Sequence, residues 1–172
     1  MKHAALSDLK EIYGHFQKRK DVFPHVRQDK LRRMIEAGQV IWQYGVAITY
    51  QQYKKRTRVG DVQVPAGAIM LHQILNTNQF NGAGNKVFRQ FVDGIVKPSG
   101  NDLYLTVRQE NTVACRFYER QGMKIAGSVT WKNGTVPGLI YRLSKPQRSD
   151  RIHAAAKQPV PMATPIAGPR NQ

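Results

Sequence analysis

Apolar residues near the start of the chain recur with the spacing of two amphipathic helices. The first stripe consists of Leu9, Ile12, Tyr13 and Phe16. Ser7 is expected to cap this helix, because its hydroxyl can accept a hydrogen bond from a first-turn amide. A second helix is predicted from about Gln28 to a stop at Gly38. Its apolar face consists of Leu31, Met34 and Ile35.

Strand patterns follow. Residues 39–53 are rich in β-branched and aromatic side chains with Gly45 in the middle, which predicts two strands joined by a turn. The next stretch carries a Lys/Arg run, Gly60 and Pro65, and is predicted to be an exposed connection. Residues 68–75 are apolar at most positions, which favours a strand near the centre of a sheet.

The second half of the chain alternates helices and strands. A helix after position 85 has the apolar stripe Val87, Phe88, Phe91, Val92 and Ile95. Residues 103–107 form an apolar strand, and Asn111 is expected to cap a helix that runs to Arg120 and stops at Gly122. The last two strands are predicted at about 124–131 and 139–143, with Asn133 and Gly134 in the turn between them. The pattern is that of an α/β protein.

Length and composition predict one domain and a tail. The chain has 172 residues, and residues 1–144 are expected to form the folded domain. Residues 145–172 hold five of the nine prolines and five basic residues against one acidic residue. That composition predicts a disordered basic tail.

The charge balance predicts an anionic partner. Lys and Arg total 27 against 11 Asp and Glu, which gives a net charge of +16. Such a surface, together with the tail, is expected to attract DNA or RNA. Neither an apolar run of membrane length nor a signal-peptide core is present, and a single cysteine excludes an internal disulfide. We therefore expect a soluble cytoplasmic protein with no membrane partner and no metal. The oligomeric state has no signal in the sequence.

The transition from the third predicted strand to the third helix contains Gly82 and Gly84. Glycines let the backbone turn tightly and approach a ligand, and the first amides of a helix attract phosphate. Taken alone, this pattern is more often that of an ordinary strand-to-helix turn. A P-loop is excluded because no Lys-Ser/Thr pair follows Gly84, and a dinucleotide fingerprint is excluded because a third glycine is missing.

Two linked motifs resemble those of the GNAT superfamily of CoA-dependent N-acyltransferases. The first is Gln79-x-x-Gly82-x-Gly84, which is similar to the pyrophosphate loop of that family. The second is Asn111-x-x-Ala114-x-x-Phe117-Tyr118-x-x-x-Gly122-Met123, with Met123 in place of the family's usual aromatic residue. The order of elements from Ser7 to Leu143 also matches, although Asn76 stands where the family often has proline.

The resemblance implies a fold and a co-substrate. The fold would be a central mixed sheet, flanked by helices on both faces, in which two parallel strands splay apart and admit the pantetheine of acetyl-CoA or another acyl-CoA. Ile74 and Leu75 would offer backbone groups to it, with an amide near Ile74 facing the acyl oxygen. The residues implied to bind the rest of CoA are Gln79, Phe80, Asn81, Gly82, Ala83, Gly84, Asn85 and Asn111.

Acyl transfer to an amine needs a base for the amine and an acid for the thiolate. The resemblance implies that Tyr118 is the acid, with core packing as the alternative. The predicted central strand lacks a carboxylate, so His72 is the candidate base, although a lone histidine on an apolar strand is often structural. A water chain or Asp61 are further alternatives for the base. Cys115 could carry an acyl group, but packing explains it better.

The acceptor is predicted to be an amine of, or attached to, a nucleic acid, because the basic surface disfavours polycationic acceptors. Candidate contacts are His25 between the first two helices, and Tyr50, Tyr53 and Asp61 around the Lys54–Arg58 run. One alternative is an enzyme of the Mom type, which modifies adenine in phage DNA. Another is a noncatalytic nucleic-acid-binding protein that retains the fold.

Overall fold

A computed structural model describes residues 1–77 and 82–145. A six-stranded mixed sheet has the order β1-β2-β5-β6-β8-β7, and β3 pairs with β4 in a separate hairpin. The strands are β1 (Val40–Gln43), β2 (Val46–Gln52), β3 (Thr57–Val59), β4 (Val62–Val64), β5 (Ile69–Asn76), β6 (Leu103–Arg108), β7 (Lys124–Trp131) and β8 (Val136–Leu143). The helices are α1 (Leu9–Lys18), α2 (Gln28–Glu36), α3 (Ala83–Phe91), α4 (Lys97–Ser99) and α5 (Thr112–Arg120).

Alternate residues of each strand enter different cores, so helices cover both faces of the sheet. On the first face, α3 and α5 pack on a core that includes Leu71, Leu105 and Tyr141. On the second face, α1 and α2 pack over β1 and β2 in a core that includes Trp42 and Leu75. The predicted α/β class and the flanking of both faces are confirmed.

The predicted exposed connection after β2 is partly wrong. It contains the β3–β4 hairpin, whose Val64 is fully buried. The hairpin covers the part of the second face that α1 and α2 leave open, and its core includes Met70, Tyr104 and Ile140. The basic residues of the run, Gly60, Asp61 and residues 65–66 are exposed as predicted.

Two local predictions need correction. The first helix does not begin with a Ser7 cap: a 3-10 turn, Leu6–Asp8, precedes α1, and the Asp8 carboxylate accepts a hydrogen bond from Ala5 N at 2.9 Å. After α3 the chain continues through a π-helical turn, Val92–Val96. Because a π-turn adds one residue to the turn, Val96 is buried where a regular helix would bury Ile95.

Strands β5 and β6 are parallel neighbours that separate along their length. They pair only from Ile69 opposite Leu103 to Leu71 opposite Leu105, although both strands continue beyond that point. Opposite β2, Gln73 faces Thr49 and Leu71 faces Tyr50, so His72 is an extra residue in β5. Such a β-bulge bends its strand and exchanges the faces of the residues that follow. The predicted splay is therefore confirmed, and it begins at His72.

Among residues 1–77 and 82–145, no helix is long and apolar enough to span a membrane. The predicted disordered tail lies outside the described residues from position 146 onward, as do Gln79, Phe80 and Asn81 of the predicted pyrophosphate loop.

Candidate active site

The gap between β5 and β6 is the principal feature of the site. Beyond Leu71, β5 remains hydrogen-bonded to β2, with Ile74 opposite Ile48 and Leu75 opposite Ala47, while its other edge no longer pairs with β6. A strand edge without a partner strand presents backbone donors and acceptors. An extended ligand chain can therefore add to β5 there. Ile74 and Leu75 lie on this stretch, as the sequence analysis requires.

The start of α3 lies just beyond the end of β5. Gly82 is its N-cap with φ +70°, a left-handed conformation that a side chain other than glycine rarely adopts, and a Cβ added there would meet open space. The first bond of the helix runs from Lys86 N to Gly82 O at 3.1 Å, and the first turn contains no acidic residue. Its amide end is thus electrostatically suited to an anion.

The rest of this turn is closely packed. Ala83 and Gly84 are buried, and a Cβ on Gly84 would lie 3.2 Å from Asn76 Nδ2. The side chain of Asn85 accepts a hydrogen bond from Gln121 Nε2 at 2.8 Å, which ties the start of α3 to the end of α5. Asn111 Oδ1 accepts from Ala114 N at 3.1 Å, so the predicted cap of α5 is confirmed.

Tyr118 lies on α5 in the core of the first face, with only 5% of its surface exposed. Its ring packs against Phe88 and Tyr141, with centroids 6.3 and 6.1 Å away. Burial, followed by the neighbouring Cys115, raises the pKa of the Tyr118 hydroxyl above its ordinary value. The hydroxyl therefore keeps its proton at neutral pH and can donate a hydrogen bond.

His72 lies on the second face at the point where β5 leaves β6. Burial, followed by the positive charge of Lys30 on α2, lowers the pKa of its imidazole to about 4. The ring is therefore neutral at physiological pH and offers one nitrogen as a proton acceptor. On β6, Thr106 follows the last residue that pairs with β5, and strand alternation places it on the same face as Tyr104.

These positions give the gap two chemically different sides. A protonated hydroxyl, that of Tyr118, lies on the first face, and a neutral imidazole, that of His72, lies on the second. Both residues were predicted from the sequence, and they lie on opposite faces of the sheet.

Two of the candidate substrate residues have structural bonds. The Tyr50 hydroxyl donates to Gly38 O at 2.9 Å, and its ring lies 5.1 Å from that of Phe91. Asp61 accepts hydrogen bonds from Ser128 N and Ser128 Oγ, both at 2.8 Å, which hold the hairpin against β7. These bonds lower the pKa of the Asp61 carboxyl, which makes it a weaker base.

The other two candidate substrate residues, Tyr53 and His25, lie at the rim of the second face. Tyr53 packs against the core under the hairpin, and burial raises the pKa of its hydroxyl. His25 is exposed in the connection between α1 and α2. The structure thus brings His25 and Tyr53 to opposite flanks of the second face, on the same side of the sheet as His72.

Three residues near His72 could not be predicted from the sequence: Lys30, Thr49 and Gln73. Lys30 is one of many exposed basic residues in the sequence, and only the packing of α2 on the sheet brings it near His72. Gln73 accepts a hydrogen bond from the buried Thr49, a pairing that depends on the register of β2 against β5. None of these has a local sequence signal.

Within the described part of the chain, no group of three or more His, Cys, Asp or Glu side chains could hold a metal ion. Cys115 is buried and unpaired as a thiol, in the same core as Tyr118.

Comparisons with known proteins match the chain to one family model and to solved acetyltransferase structures. The family model described as FR47-like protein matches residues 49–132. A comparison with curated protein sequences finds no match. A GNAT-family acetyltransferase from Bacillus cereus is 14% identical with a TM-score of 0.62, over 85% of this chain and 96% of that chain.

Two further solved structures share the fold. The ribosomal-protein-S18-alanine N-acetyltransferase from Escherichia coli is 19% identical with a TM-score of 0.61, over 85% of this chain and 93% of that chain. Arabidopsis thaliana Naa50, in complex with the bisubstrate analogue CoA-Ac-MVNAL, is 17% identical with a TM-score of 0.62, over 83% of this chain and 96% of that chain. These matches give no support to the Mom-type resemblance. The solved structures show that the chain has the fold of the GNAT N-acetyltransferases.

Proposed function

We propose that the protein transfers an acetyl group from acetyl-CoA directly to an amine carried by a nucleic acid. The observation that carries the transfer chemistry is the gap between β5 and β6, which begins at His72 and lies beside the first-face core that holds Tyr118. The complex of Arabidopsis Naa50 with a CoA-containing bisubstrate analogue supports CoA as the donor, because that chain has the same fold.

The donor is held by backbone groups. The pantetheine adds to the free edge of β5 at Ile74 and Leu75, and its pyrophosphate lies at the glycine turn that begins α3. An amide of β5 near Ile74 donates to the thioester oxygen and stabilises the negative charge that develops on it. Residues 79–81 and Asn111 are further contacts of CoA in this proposal.

The chemical step forms a carbon–nitrogen bond and breaks the carbon–sulfur bond. The amine nitrogen attacks the acetyl carbonyl carbon from the second face, and its proton passes to the neutral imidazole of His72 or to a water beside it. The CoA thiolate leaves toward the first face and accepts a hydrogen bond from Tyr118. Because an ordinary thiol has a pKa of about 8.5, below that of Tyr118, this hydroxyl stabilises the thiolate without giving up its proton completely.

Basic residues of α2 and of the segment before β3 support a nucleic-acid acceptor. Both elements lie on the second face, on the side from which the amine approaches. The side chains of Lys30, Arg32, Lys54, Lys55 and Arg56 are exposed, and none forms a salt bridge with a carboxylate of the described residues. Such a pair of basic flanks can contact successive phosphates on either side of an acceptor base.

Calorimetric titration with acetyl-CoA tests the donor site. The wild-type protein is expected to bind, and Gly82→Trp is expected to abolish binding, because its side chain fills the space where the pyrophosphate would lie. Gly134→Trp is the matched control: Gly134 also has a left-handed φ, +89°, and open space around its Cβ position, but it lies in the turn between β7 and β8. Equal binding by both variants would contradict the donor site.

Binding of a single-stranded oligonucleotide at several salt concentrations tests the acceptor class. Lys54→Glu/Lys55→Glu/Arg56→Glu is expected to weaken binding and to reduce the slope of log affinity against log salt by about 2. The control is Arg89→Glu/Arg116→Glu/Arg120→Glu on α3 and α5, the first face. An affinity that does not change with salt would exclude the nucleic-acid acceptor. Oligonucleotide binding by a protein that does not bind acetyl-CoA would favour the noncatalytic alternative.

A further inference from the structure

We infer that Trp131 is a stacking platform for a base of the nucleic-acid acceptor, placed on the second face of the sheet to hold a single strand beside the gap. This inference rests on the proposed function and specifies how the acceptor is bound. Three observations carry it: the position of the indole ring over Gly138, its separation from the apolar cores, and the basic residues beside it.

The indole ring of Trp131 lies over a glycine of the neighbouring strand. Trp131 is the last residue of β7, and Gly138 on β8 lies opposite Val129, two residues before Trp131. A Cβ added to Gly138 would overlap Cζ3 and Cη2 of the Trp131 ring, so the ring can reach across β8 only because residue 138 has no side chain. Because Val129 packs against the hairpin core, strand alternation places Trp131 on the second face as well.

This ring is a large apolar group outside the apolar cores. The three cores formed by the described residues include Val129 as a packing partner but not Trp131. The β3–β4 hairpin is bonded to β7 through Asp61 and Ser128, and Trp131 lies three residues further along the strand. Trp131 is partly buried, whereas Gly138 beneath it is fully buried. The ring is thus held against β8 while part of its surface stays open to solvent.

The strand register gives the distance between this ring and the reaction centre. Continuing the β5–β6 register past Leu71 places His72 level with Thr106, which pairs with Ile140 on β8. Gly138 lies two residues further along β8, and β8 lies two strands away from β5. Spacings of about 4.8 Å between strands and about 3.3 Å per residue place Gly138 about 12 Å from His72. That separation suits a base that flanks the acceptor nucleotide along an extended strand.

Basic residues lie beside the ring. Arg108 is the residue of β6 that pairs with Gly138, and alternation from Tyr104 places its side chain on the second face. Its Nη1 lies 3.5 Å from Glu110 Oε1, and an exposed ion pair of this kind contributes little to stability. Lys132 follows Trp131 directly and is exposed. An aromatic ring flanked by cations is the arrangement that binds single strands, because bases stack on the ring while phosphates contact the cations.

Tryptophan fluorescence tests the stacking directly. The chain has two tryptophans, and the other one, Trp42, is buried in the core under α1 and α2. A single-stranded dT homopolymer is expected to quench the emission of the wild-type protein, and Trp131→Phe is expected to abolish this quenching while Trp42 still emits. An abasic deoxyribose-phosphate polymer of equal length should bind through its charge without quenching, because it has no bases to stack. Polymer binding without quenching, or quenching that persists in Trp131→Phe, would overturn the inference.

Affinity measurements separate stacking from apolar packing. Trp131→Leu is expected to weaken binding of the dT polymer about fivefold or more, because it removes a base–aromatic stack, whereas Trp131→Phe retains a ring and most of the affinity. Ile125→Ala is the matched control, since this exposed residue of β7 lies on the first face opposite Tyr141. Arg108→Gln should reduce the slope of log affinity against log salt by about 1, and Trp131→Leu should leave that slope unchanged.

The outcomes distinguish this inference from the proposed function. Wild-type affinity of Trp131→Leu for the dT polymer would overturn the stacking platform alone. Quenching by a lysine-containing peptide, with none by the polymer, would also overturn it and assign the ring to a peptide acceptor. Loss of acetyl-CoA binding by the wild-type protein, or polymer binding that does not change with salt, would instead overturn the proposed function.

Discussion

Tyr118 combines a packing role and a chemical role in one side chain. Its ring fills the core between Phe88 and Tyr141, and its hydroxyl is the proposed donor to the departing thiolate. The packing is independent of the hydroxyl, so the two roles can be separated by removing one oxygen atom.

Tyr118→Phe is expected to lower kcat by about 10- to 100-fold, since a hydrogen bond to a charged group contributes about 1.5–3 kcal/mol. The acetyl-CoA affinity and the melting temperature should change little. Because the pKa of Tyr118 is raised, its ionisation should not reduce the wild-type rate below about pH 10. The measurement is CoA thiol release over pH 6–9.5, with Tyr13→Phe on α1 as the control. Unchanged turnover by Tyr118→Phe would remove this residue from the mechanism.

The sequence alone predicts several residues of the site because their signals are local. Asn111 caps α5 through an amide three residues away, and Gly82 occupies the conformation that its place between a strand and a helix requires. The bulge at His72 could not be predicted, since it depends on how β5 pairs with β2, a strand more than twenty residues earlier. The proximity of Lys30 to His72 also depends on tertiary packing.

At the scale of elements, the long helices and strands agree with the periodic pattern, and the β3–β4 hairpin does not. Each of its strands has only three residues, and a basic run precedes it, so the local pattern is that of an exposed loop. Its stability comes from burial of Val64 and partial burial of Val62 against Met70 and Tyr104. That contact joins residues distant in sequence, which propensity cannot detect.

The hairpin predicts a test of its attachment to β7. A Cβ on Gly127 would overlap Asp61 Oδ1 and Val62 Cγ2, so Gly127→Ala should break the Asp61–Ser128 bonds and lower the free energy of unfolding by about 1–3 kcal/mol. Gly14→Ala is the control, because its Cβ meets nothing within 4 Å and an alanine in α1 should stabilise by about 0.5–1 kcal/mol. Urea denaturation measures both, and equal stability of the two variants would contradict the close approach.

At the scale of the whole molecule, the two faces of the sheet differ in how their apolar cores are arranged. The first face is closed by one continuous apolar core under α3 and α5, while the second is divided between the α1–α2 core and the hairpin core. His72 and Gln73 lie at the boundary between those two cores, where the bulge turns both residues toward the second face. The polar side of the gap is therefore also the place where the second core is interrupted.

The burial of His72, a titratable group, makes the free energy of unfolding of the whole chain depend on pH. An unfolded histidine binds a proton near pH 6.5, but folding lowers the pKa of His72 to about 4. Between these values the unfolded chain holds a proton that the folded chain does not, so the free energy of unfolding falls as the pH is lowered from 6.5. The loss is complete near pH 4 and amounts to about 3 kcal/mol at most.

His72→Gln removes this titration while keeping a polar side chain of similar length. Its free energy of unfolding, measured by urea denaturation between pH 4.5 and 7.5, should therefore decrease less on acidification than that of the wild-type protein. Carboxyl groups such as Asp61, whose pKa is also lowered, affect both proteins equally and at lower pH, so the difference between the two curves isolates His72. Parallel curves would mean that His72 accepts a proton freely in the folded state. In that case it would be a stronger base than proposed.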